Sequence, residues 1–168
     1  EAKILEIDVV EVQARLAALG AELEFEEELH AVYFDPGEGR GDALRLRKEG
    51  DRCQLVWKDA GSAREGVLER TELETTVGDL GTMREILAHL GVAERKERRK
   101  IRTQYRWEEV HIVIDLYLDE YAYIPTYLEI EGSSIERVGE VAKLLGFTAA
   151  DLEGVTIGEL IPRYAHLR

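Results

Sequence analysis

Apolar and ionised residues alternate at every second position along much of this chain, and no other feature restricts its fold as strongly. The pattern is clearest in Leu44-Arg45-Leu46-Arg47 and in Leu128-Glu129-Ile130-Glu131. Successive side chains of an extended strand point to opposite faces, so each such segment has one apolar and one charged face. Glu129 and Glu131 would then stand roughly 7 Å apart, where two carboxylates repel each other unless cations or a metal sit between them. Other strands of the same design are positive: Arg45 and Arg47, then Lys58, then Lys100 and Arg102.

Taken in order, residues 1–8 read as a first strand and the segment from roughly 9 to 19 as a helix, capped by Asp8 and stopped by Gly20. A second strand follows over residues 21–34, and the Gly-containing stretch 35–41 reads as a turn because no helix with a Lys-Ser/Thr start follows it. Ala43 to Lys48 and Arg52 to Lys58 form a hairpin about Gly50-Asp51, and a further strand is expected near Val67–Thr75, with Arg70, Glu72 and Glu74 on one side. Asp79 to Leu90 has the spacing of an amphipathic helix. Strands over 94–107 and Val110 to Leu118, the strand at Tyr127, and helices over about 135–145 and 157–166 complete the chain.

About eight strands joined mostly by tight turns predict a largely antiparallel sheet, with helices covering its apolar face. The expected fold is a single α+β domain spanning residues 1–168. A net charge of −13 argues against a nucleic-acid-binding surface, although it leaves room for a local basic pocket. The lone Cys53 fits a reducing compartment, and no apolar run approaches membrane-spanning length, so the expectation is a soluble, cytoplasmic protein. His30, His89, His111 and His166 lack metal-ligand spacing.

The charged face has two readings. A solvated outer surface with scattered ion pairs, each contributing little, would produce it. The alternative starts from its residue types, which are mostly ionised and rich in Arg, whose planar fork suits phosphate oxygens. If the sheet curls closed, that face lines a water-filled lumen. Its positive groups would bind a polyanion, and its clustered carboxylates a hard divalent cation, a combination suited to a metal–polyphosphate complex and to phosphoryl transfer.

With these residues placed, the chain resembles the CYTH family, also called triphosphate tunnel metalloenzymes, which includes class IV adenylyl cyclases, thiamine triphosphatases and inorganic triphosphatases. Glu1-Ala2-Lys3 matches the last three positions of the family's opening Glu-x-Glu-x-Lys strand, whose first Glu falls before Glu1. Leu44-Arg45-Leu46-Arg47 and Val56-Trp57-Lys58 match its next basic strands. Arg70-Thr71-Glu72-Leu73-Glu74 resembles its Arg-x-Glu-x-Glu strand, and Lys100-Ile101-Arg102 with Tyr105 its Lys-x-Arg. Asp115 corresponds to an acidic position on the following strand, and Glu129-Ile130-Glu131 to the closing Glu-x-Glu.

The resemblance implies a closed eight-stranded antiparallel β-barrel, or tunnel, with helices packed on the outside. It also implies a small-molecule triphosphate held by Arg45, Arg47, Lys58, Lys100 and Arg102, and Mg²⁺ or Mn²⁺ held by Glu1, Glu72, Asp115, Glu129 and Glu131. Lys3 is expected to orient or activate the attacking water. Asp115 could instead balance an Arg, and Glu72 could pair with Arg70. The leading expectation is metal-dependent hydrolysis of inorganic, nucleoside or thiamine triphosphate. The alternatives are cyclisation of ATP to cyclic AMP and pyrophosphate, and polyphosphate binding without turnover. A homodimer is expected from the family alone.

Overall fold

The computed structural model describes residues 1–35, 37 and 43–168. Most of the turn read over 35–41 lies outside the described residues. The strands are β1 (Ala2–Ile4), β2 (Glu22–Phe34), β3 (Ala43–Glu49), β4 (Arg52–Lys58), β5 (Ser62–Arg64), β6 (Val67–Glu69), β7 (Glu72–Val77), β8 (Glu94–Trp107), β9 (Val110–Tyr117) and β10 (Tyr127–Glu131). The helices are α1 (Val9–Leu19), α2 (Leu80–His89), α3 (Ile135–Leu144) and α4 (Ile157–Tyr164). Eight strands form one antiparallel sheet in the order β1-β10-β9-β8-β2-β3-β4-β7, and β5 pairs with β6 separately. Among the described residues, no helix is long and apolar enough to cross a membrane.

Two compact units can be distinguished, one comprising Glu1–Glu26, Ala63–Glu69 and Ile101–Arg168, the other Glu27–Ser62 and Arg70–Lys100. In the first, Ala2 pairs with Ile130, Ile4 with Leu128, and Leu128 with Ile114. Residues directly opposite in a ladder share a face, so these side chains form one apolar surface. It packs on Val12 and Leu16 of α1 and on Val138, Val141 and Ala142 of α3. Full burial of each large aliphatic contributes about 1.5–3 kcal/mol. Asp8 caps α1 by accepting from the Glu11 N–H at 3.0 Å, and Gly20 ends it in the left-handed conformation, φ 79°. A separate cluster joins Tyr117, Ile124 and Tyr127 to Leu160 and Tyr164 of α4.

The second unit repeats the design. Val32, Phe34, Leu46 and Val77 meet Leu87 of α2, and the helix begins where Asp79 accepts from the Thr82 N–H at 2.7 Å. The strand expected over Val67–Thr75 is in fact two, β6 and β7. At Thr71, between them, the carbonyl accepts from the Asp59 N–H at 3.2 Å, and the Thr71 N–H donates to the Asp59 carboxylate at 3.1 Å. That local pairing interrupts the run, and Val67 joins the first unit's core while β7 pairs with β4. The first strand is also shorter than the 1–8 expected, and β5 was not foreseen.

Candidate functional site

The charged face of the first unit is built on β1, β10 and β9. Lys3 stands opposite Glu129, Glu129 opposite Val113, and Tyr127 opposite Asp115, so their side chains emerge on one side. Lys3 is 3 % exposed, and an ammonium so buried requires counter-charge. Two carboxylates supply it: the Lys3 Nζ lies 2.9 Å from Glu129 and 3.1 Å from Glu1. Burial pulls the Lys3 pKa down, but Glu129 and Glu1 outweigh it and hold it above the ordinary lysine value. The strand itself is anchored by backbone bonds in both directions between Lys3 and Glu153, at 2.9 and 2.8 Å.

Glu131 completes this group. Glu1, Glu129 and Glu131 each offer an oxygen within 4.8 Å of the others. Burial, followed by repulsion from Glu129, pushes the Glu131 carboxyl up to about 7. Three hard oxygen donors that repel one another fit a divalent cation of the Mg²⁺ or Mn²⁺ type, which would relieve that repulsion.

Asp115 and Arg102, assigned from sequence to metal and phosphate, are found on each other. Arg102 donates through Nε and Nη2 to the two Asp115 oxygens at 2.8 and 2.7 Å, and the Tyr127 hydroxyl donates to Oδ2 at 3.2 Å. All three are buried. Burial acts against the Arg102 charge, yet Asp115 holds its pKa well above the ordinary arginine value.

The second unit carries a cationic row on β3 and β4. Arg45 lies opposite Val56, Arg47 opposite Gln54 and Ala43 opposite Lys58, and Lys58 in turn faces Glu72 of β7. Arg45, Arg47 and Lys58 therefore share one side of the sheet, as their parity predicted. Glu72, expected to serve a metal, is here a counter-ion, 2.5 Å from Lys58 and 3.8 Å from Arg45. Burial, then the charges of Arg45 and Arg70, lower the Lys58 pKa even so. Arg47 donates to Gln54 at 2.6 and 3.2 Å, and Gln54 donates to Glu74 at 3.3 Å.

Sequence reasoning missed two members of this row. Tyr33 lies opposite Arg45, and the buried Arg98 stacks over the Tyr33 ring at 4.7 Å. The parity of Lys100 extends back to Arg98 on the same strand and was the available signal.

A family model for the CYTH domain matches residues 1–154. No curated protein matches the sequence significantly. Among solved structures, the PH1012 protein from Pyrococcus horikoshii OT3 superposes with a TM-score of 0.77 at 24 % identity, covering 95 % of this chain and 98 % of that one. A proposed adenylate cyclase from Vibrio parahaemolyticus gives 0.76 at 19 % identity, covering 96 % and 95 %. A proposed adenylyl cyclase from Hippeastrum, described as having a dominant triphosphatase activity, gives 0.67 at 20 % identity, covering 96 % and 94 %.

Proposed function

The chain belongs to the CYTH domain family, and on that premise we propose that it is a divalent-metal-dependent triphosphatase. Proteins of this family typically act on small-molecule triphosphates and depend on metal, generally Mg²⁺ or Mn²⁺. The observation that carries the reading is the cluster of Glu1, Glu129 and Glu131, two of which, Glu1 and Glu129, pair with the buried Lys3. A solvated outer face would not bury an ammonium between carboxylates, because burial of charge is costly unless it is paired.

In this reading Glu1, Glu129 and Glu131 hold the cation. A cation bound there supplies charge neutralisation and polarises a phosphoryl oxygen. Arg45, Arg47, Lys58 and Lys100 receive the phosphate oxygens, with Glu72 fixing the positions of Lys58 and Arg45. Lys3, whose raised pKa keeps it protonated, acts as a hydrogen-bond donor that orients the attacking water. Water adds to the terminal phosphorus, the bridging P–O bond breaks, the shortened phosphate chain leaves with the electron pair, and the proton lost by the water passes to solvent. Arg102 and Asp115 enter as a fixed, buried pair beside the acidic group.

Product analysis tests the reaction. Tripolyphosphate, ATP and thiamine triphosphate are each incubated with the protein and Mg²⁺ or Mn²⁺, and the products are separated. Release of inorganic phosphate from at least one of them is expected. Cyclic AMP with pyrophosphate from ATP, or no product from any of the three, would overturn the proposal.

A further inference from the structure

Tyr127 opens β10 on the charged side, two residues before Glu129, and no role described so far uses its ring. It faces Asp115 across the β10–β9 ladder, and its hydroxyl donates to Asp115 Oδ2 at 3.2 Å. The same oxygen accepts from Arg102 Nη2 at 2.7 Å. The ring centre lies 6.0 Å from the Lys3 Nζ. One side chain therefore spans two buried ion pairs of the first unit, Arg102–Asp115 at its hydroxyl and Lys3–Glu129 at its ring. Packing fixes it in place: Tyr117 stacks on it with ring centres 6.3 Å apart, and Ile124 joins Leu160 and Tyr164 of α4 around it.

An ammonium has three N–H donors, and Glu1 and Glu129 each accept a hydrogen bond from Lys3. The face of the Tyr127 ring attracts the charge without fixing on one N–H, and it keeps water from that side. The third donor is then left to point into the site. The ring can direct it only if the side chain keeps its angle, and the bond to Asp115 ties the phenol to a carboxylate that a forked guanidinium already holds. We propose that Tyr127 is a positioning residue, its ring, anchored through the hydroxyl on Asp115, fixing the direction in which the Lys3 ammonium donates. This rests on the triphosphatase reading above, in which Lys3 orients the attacking water.

The residue type fits this role better than packing alone. Tyr127 is 2 % exposed, where an apolar side chain would serve the core under α4. A buried hydroxyl is costly without a partner, and the partner here is the charged pair next to Lys3. Tyr127 reaches the reaction only through Lys3, so its loss should lower the turnover of bound triphosphate and leave binding unchanged.

The experiment uses the intact chain, Mg²⁺ and whichever of tripolyphosphate, ATP and thiamine triphosphate the wild type hydrolyses fastest. Phosphate release gives kcat and KM, and melts give the folded fraction. Tyr127→Phe keeps the ring and the packing and removes the anchor. Its kcat per folded molecule should fall roughly tenfold, the usual size for a hydrogen bond to a charged group, with KM within about twofold of wild type. In a Lys3→Arg background, which keeps the charge and loses its aim, the same substitution should change kcat by less than about twofold, a result that a general loosening of the core would not give. A second measurement needs no variant: by nuclear magnetic resonance, the Lys3 Nζ protons of the wild type should show Overhauser contacts to the Tyr127 ring. A folded Tyr127→Phe with wild-type kcat, an equal loss in the Lys3→Arg background, or a wild type lacking those contacts overturns the role of Tyr127 alone. A wild type that releases phosphate from none of the three compounds overturns the triphosphatase reading, and the role of Tyr127 with it.

Discussion

Lys3 and Glu129 stand directly opposite each other across the β1–β10 ladder, and their charged ends meet at 2.9 Å on a face where both are buried. The register fixes the pair, and Glu1 reaches Lys3 from two residues away. This lysine serves as an internal counter-ion for carboxylates suited to a metal.

Removing that counter-ion therefore makes the fold dependent on an external one. Lys3→Met should lower stability by about 3–5 kcal/mol, the usual cost of leaving one side of a buried ion pair uncompensated. Mg²⁺ or Mn²⁺ should recover more of the melting temperature in the variant than it adds to the wild type. Thermal melts with and without metal measure both effects, and an unchanged melting temperature in metal-free Lys3→Met would refute the pairing.

Glu131 gives the metal-free protein a distinctive pH dependence. Its folded pKa of about 7 lies above the ordinary carboxylate value of 4.5, so over that window the folded state holds a proton that the unfolded state has released. Stability then falls as pH rises from about 4.5 to about 7. Glu131→Gln should flatten this decline, and saturating divalent cation should suppress it in the wild type. Melting temperatures across that range, with chelator and with metal, test the sign; an identical slope in the variant would contradict it.

Asp115 was legible as an acidic position on the charged face, but its partner was not. Alternation places Asp115 and Arg102 on the same face, and only the β8–β9 pairing brings them into a forked contact. Asp115→Asn should cost about 3–5 kcal/mol by stranding a buried guanidinium, with little change in metal affinity. A large loss of metal affinity at unchanged stability would return Asp115 to the ligand set.

Lys58 shows the reverse balance. Burial and the nearby Arg45 and Arg70 oppose its charge, which Glu72 only partly offsets. Lys58→Met should change stability by less than about 1 kcal/mol, since an ill-tolerated charge leaves along with its salt bridge. Triphosphate affinity should drop tenfold or more. Calorimetry and melting separate the two effects, and intact affinity in the variant would exclude Lys58 from phosphate binding.

The parts of the fold that could be read from sequence are those where composition and parity agree. Leu44 to Arg47 and Leu128 to Glu131 alternate without ambiguity, and the faces their side chains take in the structure follow the reading. Tyr33 was missed because Ala31-Val32-Tyr33-Phe34 is apolar at every position, so alternation carries no sign there. The break at Arg70-Thr71 was missed because it depends on Asp59, distant in sequence and bonded to Thr71. Glu72 lies on the charged face that alternation assigns to it, and the β4–β7 register sets it against Lys58. Periodicity places side chains on faces, and only pairing decides which of them meet.

The proposed triphosphatase reaction draws on both Glu129 and Arg45. Steady-state phosphate release from the preferred triphosphate, at saturating metal, is to be measured for wild type, Glu129→Gln and Arg45→Gln, each confirmed as folded by its melt. The prediction is a loss of at least roughly a hundredfold in kcat/KM for both variants, about 2.7 kcal/mol of transition-state stabilisation each. A folded Glu129→Gln or Arg45→Gln with wild-type turnover would contradict it.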